Sequence, residues 1–187
     1  MEQIQIILAS ASPRREELLK KIIKDFKVVV SAFDESKLDH SDPVTFAKKA
    51  SYEKARDVAK RNFEAIVIGA DTIVVNKGVI YGKPKDLKEA RTMLKALSGR
   101  AHQVITGVTL FRQGRYVTGY AETEVTFKTL KEKDIDDYLK DSHVLDKAGS
   151  YAIQEIGNKF VKKIKGDHDN VVGLPVAMLK EMLRLFQ

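Results

Sequence analysis

The sequence predicts an α/β fold built on a mixed sheet, on two observations. Strand-like apolar runs alternate with amphipathic helical stretches along the 187 residues, the order that packs helices against a sheet. Within that alternation, two long strand-like runs, 102–112 and 115–128, meet at Gln113-Gly114, a hairpin turn that brings antiparallel pairing into the sheet.

The elements follow in order. A first strand spans 4–8. Ser12 reads as an N-cap and Pro13 as the first residue of a helix over 13–23. A strand at 27–31 and a helix at 43–61 come next. The most apolar strand, Ala65-Ile66-Val67-Ile68-Gly69-Ala70, continues beyond Asp71 as Thr72-Ile73-Val74-Val75. Asn76-Lys77-Gly78 is a turn, and Val79-Ile80-Tyr81 a short return strand. Asp86 and Glu89 form a D-x-x-E capping signal for a helix ending near Leu97, with Gly99 as its stop. After the hairpin come a helix at 131–140 and a loop holding Asp146-Lys147-Ala148-Gly149. Strands at 150–154 and 159–164 follow. A last helix from Leu174-Pro175 buries Val176, Leu179, Leu183 and Phe186 at helical spacing.

A hydrophobic fraction of 43% supports a real core, in one domain over 1–187 or one fold with two lobes. No apolar run approaches the ~20 residues of a membrane helix. Met1-Glu2-Gln3 is not the basic start of a signal peptide, so the expected compartment is the cytoplasm. The absence of cysteine excludes disulfides, thiolate metal sites and cysteine nucleophiles. The net charge of +7 fits phosphate-bearing partners or, equally, a solvated lysine-rich surface. A basic binding module without turnover is the rival class. Against it, and against nucleic acid as partner, the chain lacks basic stripes interleaved with aromatics.

Five features stand out chemically. Arg14 and Arg15 fall in the first turn of a helix, beside the positive end of its dipole. Uncompensated, this costs about 0.3–1 kcal/mol per charge, so an anion is expected at Ser10-Ala11-Ser12-Pro13-Arg14-Arg15. Asp71 interrupts a fully apolar strand; a buried carboxylate there needs a partner or a metal, and Gly69 allows close backbone approach beside it. Lys54 lies on the stripe of Ala47, Ala50, Ser51, Ala55 and Val58, either snorkelling or aimed at a site. Lys83, held between Gly82 and Pro84, can be aimed at a phosphate or simply be solvated. Asp34 and Glu35 are either a surface acidic pair or oxygen ligands for a hard cation. His40, His102, His143 and His168 have no zinc spacing, His168 reads as a turn residue, and neither common glycine-rich nucleotide loop is present.

Together the blocks LASASPRREELL, GADTIVV, GKPKD, SGRAHQVITGV, DKAGSYAIQ and GDHDNVVGLP resemble the Maf nucleotide pyrophosphatases, in the same order and over nearly the whole chain. The resemblance implies an elongated mixed sheet flanked by helices, two lobes around a central cleft, similar to the inosine-triphosphate pyrophosphatase fold, and a homodimer. It implies cleavage of a nucleoside triphosphate to monophosphate and pyrophosphate with a divalent cation, Mg²⁺ or Mn²⁺. Asp71 carries over as the catalytic acidic residue. Arg14, Thr72 and Gln154 carry over as specificity positions, and Ser10, Arg15, Lys54 and Lys83 as phosphate-binding ones. Glu35 and Asp71 carry over as metal ligands. Thr72 with Gln154 resembles the dTTP/UTP branch rather than the 7-methyl-GTP branch or an inosine-type purine enzyme. Glu155 stands where the family usually has glycine, and His168-Asp169 where it usually has aromatic residues.

Overall fold

The computed structural model describes residues 4–140 and 143–186; Met1-Glu2-Gln3, on which the reading of no signal peptide rests, lies outside them. Seven strands form one mixed sheet. β1 (Ile6–Ala9) runs parallel to β2 (Lys27–Val28) and to β3 (Ile66–Asn76). β4 (Val79–Tyr81) and β5 (Ala101–Arg112) pair antiparallel with β3. β6 (Arg115–Phe127) pairs antiparallel with β5, and β7 (Val161–Lys165) with β6. The hairpin turns at Gln113 and Gly114, both at positive φ (50° and 78°), as a two-residue turn between twisted strands requires.

The helices are α1 (Pro13–Lys20), α2 (Pro43–Ala59), α3 (Leu87–Leu97), α4 (Glu132–Lys140), α5 (Ile153–Phe160), α6 (His168–Val172) and α7 (Val176–Phe186). α2 covers one face of the sheet, packing Phe46, Ala47, Ala50, Ala55 and Val58 on Ile7, Val67, Ile73, Val75 and Ile105. Residues of the other six helices join the larger core on the opposite face, around Leu8, Ile68, Val74, Val108 and Phe127. Leu183 and Phe186 of α7 pack there partly buried rather than fully.

Two expectations are corrected. Residues 150–154 are not a strand: Gly149 and Ser150 both take left-handed φ (64° and 66°), the chain turns, and α5 begins at Ile153. The apolar run Tyr151-Ala152-Ile153 fits either period, and burial of Ile153, Ile156 and Phe160 decides for the helix. His168 is a helical residue, not a turn residue, because Asp167 caps α6 by accepting from the Asp169 N–H at 2.8 Å.

The sheet has a gap that places the cleft. β1 pairs with β3 only as far as Ala9–Gly69, and β4 takes up the same edge at Val74–Tyr81. Between them Ala70, Asp71, Thr72 and Ile73 have a strand neighbour, β5, on one side only. The period of two sends Asp71 toward α2 and Thr72 toward α1 and α6.

Candidate active site

A cleft of about 810 Å³ opens over this gap, and every site residue that the resemblance carries over lines it: Ser10, Arg14, Arg15, Glu35, Lys54, Asp71, Thr72, Lys83 and Gln154. Besides β3 itself and the loop of Lys83, four separate segments supply walls.

The first is the turn after β1. Ser12 caps α1, accepting from the Arg15 N–H at 3.5 Å, and Pro13 opens the helix. Arg15 then divides its fork among three acceptors. Nε donates to the Gly173 carbonyl at 2.8 Å, one terminal nitrogen to Ser10 Oγ at 3.2 Å, and the other to Thr72 Oγ1 at 2.9 Å. Burial lowers the Arg15 pKa, and the charges of Asp71 and Glu35 oppose that shift. Arg14 points elsewhere, 3.8 Å from Asp146 at the rim. The two adjacent arginines therefore do different work. Thr72 Oγ1 also lies 2.9 Å from Thr106 Oγ1, so its hydroxyl is committed to the wall.

The second and third are α2 and the loop that faces it. Gly69 and Gly107 let α2 lie almost on the sheet: a Cβ at either would sit 2.2 Å from a backbone oxygen of α2, that of Ser51 or Ala47. Gly69 does permit a close backbone approach, and the approaching backbone is α2. This contact brings Lys54 to the sheet, where Nζ donates to Asp71 Oδ1 and to Glu35 Oε2, each at 2.5 Å. Lys54 is thus aimed into the site rather than snorkelling. The acidic pair splits. Asp34 caps a short 3₁₀ turn over Glu35–Lys37 by accepting from the Ser36 N–H, while Glu35 turns inward to Lys54. Asp57, one turn beyond Lys54 on α2, accepts from Ser31 Oγ at 3.0 Å and the Ala32 N–H at 2.9 Å. One helix therefore grips both the carboxylate and the loop that carries it. The fourth segment is the first turn of α5, where Gln154 is exposed in the cleft.

The two carboxyls are driven apart. Asp71 is 5% exposed. Burial pushes its pKa up, Glu35 adds to this, and the opposing pull of Lys54 and Arg15 does not cancel it. Burial also pushes Glu35 up, but the Lys54 ammonium, its hydrogen bond and the Lys83 charge outweigh burial and hold it below its ordinary value. Glu35 is the anion of the pair, and Asp71 the carboxyl with raised proton affinity. Lys83 reaches the same field from its loop.

Two carboxylates on a cleft suit a hard divalent cation that keeps waters and takes phosphate oxygens. Among the described residues no group of three or more His, Cys, Asp or Glu forms an all-protein cage. The donor set fits such a cation, with the rest of its shell supplied from outside the protein.

Sequence reasoning missed Asp57, Gly107, Thr106 and the Gly173 carbonyl. Asp57 had a readable signal, its i+3 spacing from Lys54 on one helix. The others emerge only from strand register and chain return.

A family model for Maf-like proteins matches residues 5–186. The chain is 46% identical over 185 residues to the dTTP/UTP pyrophosphatase of Clostridioides difficile (strain 630), covering 98% of this chain and 95% of that one. It is 48% identical over 182 residues to the dTTP/UTP pyrophosphatase of Bacillus cytotoxicus, covering 97% and 95%. Among solved structures, the Staphylococcus aureus Ham1 protein superposes with a TM-score of 0.56 at 14% identity, over 98% of this chain and 100% of that one. A HAM1 protein from Coxiella burnetii gives 0.55 at 15%, with the same coverage. At these identities the two structures speak to the fold alone.

Proposed function

The chain belongs to the Maf-like family, and from that premise we infer that it is a nucleoside triphosphate pyrophosphatase acting on dTTP and UTP. The observation that carries the reading is the buried Asp71, joined through Lys54 to Glu35 at the one stretch of β3 that β1 and β4 leave uncovered. The relatives at 46–48% identity over nearly the full chain bear the same activity in their names.

Water attacks the α-phosphorus. An O–P bond forms there, the bond to the bridging β-phosphate oxygen breaks, and the products are monophosphate and pyrophosphate. Asp71 serves the attacking water and accepts its proton, its carboxyl oriented by the Lys54 ammonium. Glu35 and Asp71 would hold the divalent cation, which when bound neutralises phosphate charge and activates water. Lys54, Lys83 and Arg15 place positive charge on the phosphate path and the leaving pyrophosphate. Ser10 offers its hydroxyl there while accepting from Arg15. Gln154 presents donors and acceptors to a pyrimidine edge. Arg14 contributes from the rim, and Thr72 acts through Arg15 from the wall behind. A site that hydrogen-bonds the base can reject one lacking the matching groups by up to about 10⁴–10⁵-fold.

The same reading places the enzyme in the cytoplasm as a homodimer that removes unwanted pyrimidine triphosphates; no described helix is long and apolar enough to cross a membrane. The test is a panel of UTP, dTTP, 7-methyl-GTP and ITP with Mn²⁺, products separated by ion exchange. Monophosphate and pyrophosphate from UTP and dTTP are expected. Diphosphate and orthophosphate, or a preference for 7-methyl-GTP or ITP, contradict the reading.

A further inference from the structure

We propose that Glu155 is a positioning residue for nucleoside selection, fixing the first turn of α5 on which Gln154 stands. The proposal rests on the reading of Gln154 as a base-selecting residue.

α5 has no side-chain cap of its own, because its N-cap residue is Ala152. The start of the helix is held from outside instead. The Ala152 N–H donates to Tyr138 Oη at 3.2 Å, and that hydroxyl donates to Glu155 Oε2 at 2.9 Å. The other oxygen, Oε1, lies 3.1 Å from Lys147 Nζ, whose side chain is only 2% exposed. Lys147 also pairs with Asp146 at 3.2 Å, and Asp146 lies 3.8 Å from Arg14. A continuous set of contacts thus runs Arg14, Asp146, Lys147, Glu155, Tyr138, Ala152. It begins at one specificity position and ends two residues before the other.

Two properties suit Glu155 to this role. Its carboxylate sits in the first turn of α5, where the helix dipole favours negative charge. It also joins two groups of limited freedom, a buried lysine and a half-buried tyrosine ring packed edge-on to Phe160 at 5.5 Å. Removing it frees the turn on which Gln154 stands to move, and base contacts degrade steeply with displacement.

The experiment compares wild type, Glu155→Ala, Glu155→Gln and the double variant Glu155→Ala with Tyr138→Phe in steady-state assays on UTP, dTTP and ITP, with melting temperatures measured alongside. For Glu155→Ala, KM for UTP and dTTP is expected to rise about tenfold with kcat within about twofold. The kcat/KM for ITP stays unchanged, so pyrimidine preference falls about tenfold. Glu155→Gln, which retains the acceptor but not the charge, falls between. The double variant loses further preference, because it also removes the Tyr138 hydroxyl that still accepts from the Ala152 N–H. An unmoved preference, or a kcat that falls equally for all three nucleotides, overturns the proposal even if the melting temperature drops. A wild type inactive on UTP and dTTP defeats instead the activity on which the proposal rests.

Discussion

Lys54 Nζ stands 2.5 Å from Asp71 Oδ1 and at the same distance from Glu35 Oε2, so a single ammonium on α2 compensates a strand carboxylate and a loop carboxylate. Burial makes that compensation count, since attraction and repulsion both grow as water is excluded. Lys54→Met removes it and leaves two carboxyls facing each other. Turnover should fall by about 10²-fold or more. The acid limb of the pH–rate profile should move to higher pH, because losing a cation favours the neutral carboxyl. Steady-state rates across pH check both.

Asp71 should itself set that acid limb. Its pKa in the free protein is raised above the ordinary aspartate value by burial first, so kcat/KM, which reports the free enzyme, should fall with decreasing pH at an apparent pKa above that of an ordinary aspartate. Asp71→Asn should cost at least ~10²-fold in turnover and abolish the limb. For stability the two carboxyls act oppositely. The contribution of Glu35, whose pKa is lowered, is present above its ordinary value and lost as pH falls through the lowered one. That of Asp71, whose pKa is raised, is present below its ordinary value and lost as pH rises through the raised one.

Arg15 makes three bonds that no lysine can copy. Its donors diverge to the Gly173 carbonyl, Ser10 and Thr72, joining the α1 turn to β3 and to the end of α6. Arg15→Lys keeps the charge and loses the fork. Urea denaturation should show a loss of about 1.5–3 kcal/mol, the range for hydrogen bonds to charged groups. KM for UTP should rise as the wall loosens.

Gly107 bears on the site from a distance. An added Cβ would meet the Ala47 carbonyl at 2.2 Å, and backbone does not yield cheaply. Gly107→Ala should destabilise by about 1–3 kcal/mol or more. It should also lower activity by lifting α2, and Lys54 with it. Gly119→Ala is the control: its Cβ would approach only the ends of flexible side chains, Met178 Sδ at 3.4 Å and Met182 Sδ at 3.5 Å. Its melting curve should stay close to wild type.

Most of the fold was legible because its signals are local. Caps at Ser12 and Asp86, the turn at Gln113-Gly114 and the long apolar run of β3 each act within a few residues. Residues 150–154 were misread as a strand because three consecutive buried apolar residues carry no period, and the left-handed pair before them gives only one glycine as a clue. The site was legible as a set of misfits: a carboxylate in an apolar strand, a lysine on a small-residue stripe, arginines at the wrong end of a helix. Their joining was not. That Glu35 turns to Lys54 while Asp34 caps a turn, and that Arg15 reaches Thr72 while Arg14 reaches Asp146, depends on where distant segments return in space.

The most direct measurement is hydrolysis of UTP in ¹⁸O-labelled water under single-turnover conditions, with mass analysis of both products. Attack at the α-phosphorus by water that Asp71 serves places one ¹⁸O in the monophosphate and none in the pyrophosphate. Label in the pyrophosphate, or release of orthophosphate and diphosphate, would contradict it.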